Sequence, residues 1–197
     1  MSKTAFKGGT LLAPVPPAMV SCGDMENSNI ITVAWTGILN STPPVTYISV
    51  RPSRHSHAII KESGEFVINL TSESLAKAAD YCGMYTGAKV DKFEKCNLTK
   101  EAATQVACPM IAEAPMSIEC RVRDVMSMGS HDVFVADILC VNVKDEYIDE
   151  SGKIRMDKAS LAAYAHGEYY ALGKKLGKFG FSAQKKKKKP RKQAAKK

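Results

Sequence analysis

Runs of apolar and β-branched residues divide the chain into extended segments separated by turn residues. Ile30 to Trp35 and Val45 to Val50 are two such runs, the pattern of strands packed on a core. Leu11–Leu12, Met19–Cys22 and Glu65–Leu70 read the same way. Met116–Met126 and His131–Val143 are longer, and Ser127 to Ser130, with Gly129 inside, predicts a hairpin between them. Pro43-Pro44 punctuates the link between the first two runs, and Pro52 ends the second. Helices are predicted over Arg54–Lys61, with Ser53 as cap, and over Ser74–Met84. Ser72 or Ser74 would cap the second helix, and Gly83 or Gly87 would end it. Long antiparallel strands with two inserted helices predict a β-rich α+β fold, a closed or half-closed barrel with helices at its rim.

A chain of 197 residues is ample for one domain with a proper core. No run of about 18 apolar residues exists, so no membrane-spanning segment is expected. The N-terminus shows no basic region followed by an apolar stretch, so no secretory signal is expected and the cytoplasm is the predicted location. The formal charge of +8 is unevenly placed. Residues 185–197 hold nine of the 28 basic residues, which leaves 19 basic against 20 acidic side chains in the rest. The expected division is therefore a domain over 1–183 and a lysine-rich tail over 184–197 that repels itself and buries nothing. Such a tail could hold nucleic acid or an anionic membrane surface with salt-dependent affinity, but no RNA-binding motif accompanies it. It is expected to be an appendage. The six cysteines form no C-x-x-C pair and no zinc-finger spacing, so reduced thiols are predicted, with Cys120 and Cys140 as small core residues.

The candidate chemistry lies directly after the second strand, at Ser53-Arg54-His55-Ser56-His57. A helix N-terminus offers unpaired N–H groups and partial positive charge, and hydroxyls beside an Arg suit a phosphate. From the residues alone, a solvated cap is the commoner reading of this cluster. No G-x-G-x-x-G, P-loop, H-E-x-x-H or G-x-S-x-G is present.

That segment resembles the flavin reductase-like family of FMN-binding split barrels, in particular its flavoredoxin branch. Ala13-Pro14-Val15-Pro16 with Val20-Ser21-Cys22-Gly23 is similar to the family's opening strand, and Gly64 to Leu70 to a later one. Asp80-Tyr81-Cys82-Gly83 and Asp91-Lys92-Phe93 resemble the helix and loop that follow. Glu119 to Val122 and Gly129 to Phe134 resemble the paired strands that close the barrel. The ending, Tyr169 to Gly173 and Gly177 to Ser182, is the most branch-specific block, and the likeness runs in order over roughly residues 10 to 182.

The resemblance implies a split β-barrel with peripheral helices, non-covalent FMN and a homodimer with the cofactor near the subunit interface. It places the FMN phosphate by Arg54, Ser56 and His57, with Lys92 or Lys89 as a second cation. The ring would lie along Thr32, Val33, Ala34 and Trp35 and near the strand end Ser49-Val50-Arg51, with Asn40 and Ser41 within reach of the ribityl chain. His131 would position the flavin or a nicotinamide; from spacing alone it reads first as a turn histidine bonded to Asp132 or backbone, and the resemblance brings the two readings level. Trp35 could stack on a ring or simply fill the core, and Tyr164, Tyr169, Tyr170, Phe179 and Phe181 could cover the cofactor or pack an interface. The implied activity is hydride transfer from NADH or NADPH through FMN to free flavin or a partner. The alternative is a flavoredoxin-type carrier that takes electrons from another protein. Neither needs a catalytic triad, since hydride transfer asks only for aligned rings.

Overall fold

The computed structural model describes residues 1–183; the lysine-rich tail lies outside the described residues. Seven strands form one antiparallel sheet: β1 (Ala18–Gly23), β2 (Ser28–Val33), β3 (Thr36–Ser41), β4 (Pro44–Val50), β5 (Glu65–Asn69), β8 (Met116–Ser127) and β9 (Asp132–Val143). Their order across the sheet is β2-β1-β5-β8-β9-β4-β3. The two edge strands are thus consecutive in the chain, joined only by Ala34 and Trp35. So short a link spans at most about 11 Å, so the sheet must roll until its edges approach each other. The result is a barrel split between β2 and β3: the strand pattern predicts a β-rich α+β barrel, and the family resemblance implies that it is split.

Side chains alternate across each strand, so one set fills the barrel. Val20, Cys22, Ile31, Val33, Ile48, Phe66, Ile68 and Phe134 form this core. Helix α1 (His55–Ser63) plugs it with Ile60, which is fully buried. Each such side chain contributes about 1.5–3 kcal/mol of burial. The opposite face of β1 and β2 carries a second core, in which Met19 and Ile30 pack on Leu75, Ala79 and Cys82 of the next helical stretch, ending in α2 (Ala76–Met84), and on Phe93 of α3 (Lys92–Lys95). Strand β1 is therefore buried on both faces, which explains why apolar residues, interrupted only by Ser21, fill Ala18–Cys22 without alternation.

Several expected elements differ. Leu11–Leu12 is exposed and in no strand, because nothing covers it. The short ladders β6 (Lys100–Glu101) with β7 (Met110–Ile111), and β10 (Ala162–Ala165) with β11 (Glu168–Ala171), were not expected from the sequence, nor was β3. Strand β3 exposes Ile38 and Leu39 on adjacent positions, so it lacks the alternation that marks a half-buried strand. All six cysteines are free; Cys120 is a core residue as expected, whereas Cys140, also expected in the core, is only half-buried on β9.

Candidate flavin site

The split in the barrel is a cleft. Thr32, Val33, Ala34 and Trp35, leaving the edge strand β2, form one wall. Ser49, Val50 and Arg51 at the end of β4 form the other, and His131 closes the end. The cleft encloses about 170 Å³. Its walls are held together by backbone: the Ser49 N–H donates to the Trp35 carbonyl at 3.0 Å. The Trp35 and His131 rings lie 4.7 Å apart, tilted by 41°. Burial, and then the Arg51 guanidinium, hold the His131 imidazole below its ordinary pKa, so it is neutral at physiological pH. Its Nδ1 faces the Ser130 hydroxyl at 2.9 Å, not Asp132.

Arg54 and Ile31 connect this cleft to a smaller cavity of about 70 Å³ at the start of α1. The residue entering the helix as cap is Arg54, not Ser53, and no side chain caps the helix. The His57 N–H donates to the Arg54 carbonyl at 2.9 Å, so the N–H groups of His55 and Ser56 are the ones left for another acceptor. Ser53, Ser56 and Thr86 bring hydroxyls to the cavity, and none of its described lining residues is Asp or Glu. Asn29 donates to the Ser56 oxygen at 2.7 Å, which fixes that hydroxyl. Gly87 permits this arrangement, since a Cβ there would meet Asn29 at 2.1 Å.

Lys92 is the unusual member. Its side chain is turned inward and only 4% exposed. The ammonium donates to the carbonyls of Ile30 at 2.6 Å and Cys82 at 2.8 Å. An ammonium has three donors, so one remains, and the side chain lines the small cavity. Among the described residues Lys92 makes no ion pair, and burial holds its pKa below the usual lysine value. A buried cation facing hydroxyls and an uncapped helix start, without a carboxylate, matches a phosphate.

The structure therefore gathers Thr32 to Trp35, Ser49 to Arg51, Arg54, Ser56, Lys92 and His131 around one continuous groove. It does not bring the remaining expected residues there. His57 points into the barrel, where its Nε2 meets Asp132 Oδ2 at 2.8 Å and its ring edge meets Phe134. Asn40 donates to the Pro43 carbonyl within the β3–β4 turn, and Ser41 is exposed beside it. Lys89 is exposed and does not line the cavity. Sequence reasoning in turn missed Asn29 and Thr86, whose only signal is their position at the ends of β2 and α2.

A small basic cavity opening into a cleft at the mouth of a split barrel is an arrangement that suits a mononucleotide. The chain belongs to the flavin reductase-like domain family, whose model matches residues 11–173. It is similar to the flavoredoxin of Desulfovibrio vulgaris (Miyazaki F), with 30% identity, a TM-score of 0.86, and coverage of 93% of this chain and 100% of that one. A flavoredoxin from Methanosarcina acetivorans shares the fold at 24% identity, with a TM-score of 0.82 and the same coverage. An uncharacterised protein of Archaeoglobus fulgidus is 34% identical over 138 residues, 70% of this chain and 77% of its own length. The protein is an FMN-binding member of the flavin reductase and flavoredoxin group. No helix among the described residues is long and apolar enough to cross a membrane.

Proposed function

We propose that the protein is a flavoredoxin-type electron carrier, binding FMN with its phosphate in the Lys92–Arg54 cavity and its ring in the cleft between Thr32–Trp35 and Ser49–Arg51. The observation that carries the cofactor placement is the buried, unpaired Lys92 in a cavity without carboxylates. Whole-length similarity to a flavoredoxin supports the carrier role. Bound FMN would supply one- and two-electron chemistry. The chain's own groups would bind and tune it: backbone N–H groups lining the cleft would stabilise its reduced, more negative form. Neutral His131 offers one ring nitrogen to the cleft while Ser130 meets the other. Trp35, 41% exposed, and the exposed Arg51 leave the rim open to a protein partner. The exposed apolar side chains Ile38, Leu39, Met126 and Met128 support a C₂ homodimer.

A second reading, favoured by the family description, is an NADH- or NADPH-dependent reductase acting on flavin. Absorbance spectra of the FMN-loaded protein under anaerobic conditions separate the two. The carrier keeps its flavin bands in NADH and NADPH and loses them on adding dithionite. Bleaching within seconds by either nucleotide would make it a reductase. Failure to retain FMN would remove both.

A further inference from the structure

One polar pair interrupts the apolar interior of the barrel. His57 Nε2 on α1 meets Asp132 Oδ2 on β9 at 2.8 Å, with side chains only 8% and 13% exposed, beside the fully buried Phe134. Neither residue lines the cleft or the phosphate cavity. Each is nevertheless tied to residues that do. The His57 N–H donates to the Arg54 carbonyl, and Ser56, its chain neighbour, lines the phosphate cavity. Asp132 follows His131 and lies opposite Val50 of the cleft wall in the β4–β9 register. The pair therefore reaches from the phosphate end of the groove to its ring end.

The ring end has little else to hold it. Ser127 to Ser130, the turn before His131, are all exposed and contribute no packed side chain. The Met128 N–H donates to the His131 carbonyl at 2.8 Å, which closes the turn on itself. Successive side chains of extended chain point to opposite faces, so Asp132 turned into the barrel leaves His131 on the cleft side, against Trp35. His57, and then the Ser127 hydroxyl, hold the Asp132 carboxyl below its ordinary pKa, so an ionised acceptor stands there at neutral pH. A buried pair of this kind adds little stability over apolar side chains of similar volume. What it supplies is a directional bond between a helix and a strand end.

We propose that His57 and Asp132 are positioning residues, which set the place of His131 against the flavin ring by anchoring the β8–β9 turn to helix α1. The proposal rests on the flavin placement given above. His57 thus acts on the ring and not on the phosphate, although Arg54 and Ser56 lie beside it in the chain. Of the three residues, His131 alone faces the cleft.

The test measures dissociation constants of FMN and riboflavin for the full chain by fluorescence titration. His57→Leu should weaken both flavins about fivefold, as for one hydrogen bond lost at the ring, and leave the ratio of their affinities unchanged. His57→Gln, whose amide N–H can still donate to Asp132, should restore most of the affinity. In a His131→Ala background His57→Leu should have no further effect, because the group it positions is gone. His57→Leu combined with Asp132→Leu leaves no unpaired buried charge, so it should fold as the wild type does and show the same loss for both flavins. A loss confined to FMN would make His57 a phosphate residue and overturn the proposal. Unchanged affinity in the combined variant, or an undiminished His57→Leu effect in the His131→Ala background, would overturn it too. Unchanged flavin affinity in His131→Ala itself would instead overturn the ring placement on which it rests.

Discussion

Two buried charges in this barrel are treated in opposite ways. Glu119, on β8 and fully buried, is saturated: Thr104 donates to it through N–H and hydroxyl at 2.9 and 2.8 Å, Gln105 N–H at 2.6 Å and Asn142 at 2.7 Å. Burial raises its pKa, but these donors outweigh burial and hold it below the ordinary glutamate value. Lys92 is buried almost as deeply and has only two carbonyl partners. A charge whose bonding capacity is filled from within organises the fold, here by tying the 104–105 loop to the sheet. A charge left with an open donor beside a cavity is prepared for something outside the chain. Asn69 belongs with Glu119: it donates to the Met19 carbonyl and the Ser21 hydroxyl, and accepts from Ile111 N–H and Ser117.

The largest effect that could break this contrast is at the saturated site. Glu119→Ala should cost about 3 kcal/mol of stability in denaturant unfolding, because buried donors lose their acceptor. FMN affinity of the folded fraction should be unchanged. Lys92→Met should do the reverse, with stability within about 1 kcal/mol of wild type because removing a buried charge offsets the two freed carbonyls. Its FMN affinity should fall about 100-fold, the loss of a charge-assisted contact. Fluorescence titration of FMN measures both.

Arg54 sharpens the same contrast at the rim. It is exposed, so Arg54→Ala should weaken FMN about tenfold and make binding less sensitive to salt, with no effect on unfolding. The smallest effect expected is in pH dependence. Lys92 has its pKa lowered below 10.5, so FMN affinity should decline as pH rises through that lowered value. Over the same window Lys92 itself contributes stability that grows with rising pH, because the unfolded chain holds its proton more tightly. The wild type should therefore gain relative to Lys92→Met as pH rises, against the loss that the buried thiols with raised pKa bring to both proteins. The slope in FMN affinity should vanish in Lys92→Met.

Much of the barrel was readable because its strands carry their own signal. The long strands β8 and β9 and the apolar runs of β1, β2, β4 and β5 are where the residues predict them. Strand β3 was not, since Thr36 to Ser41 has neither alternation nor a continuous apolar run and owes its pairing to β4. The site divides likewise. The strands that wall the cleft follow from their apolar runs but their place at the site only from the family resemblance, while Arg54 and Ser56 follow from the helix start. His57 could not be told from them by spacing, because its partner Asp132 is 75 residues away and reached only through the β4–β9 pairing. Lys92 reads in sequence like any surface lysine of a short helix. Its inward turn depends on carbonyls of β2 and α2 that only the folded chain places beside it.

Riboflavin differs from FMN only in lacking the phosphate, so their relative affinity isolates the phosphate contact. The most direct measurement is therefore the ratio of FMN to riboflavin dissociation constants for the wild-type chain and for Lys92→Met. The arrangement around Lys92 predicts a preference for FMN of about 100-fold or more in the wild type, most of it lost in the variant. An equal preference in both proteins would contradict it and place the phosphate elsewhere.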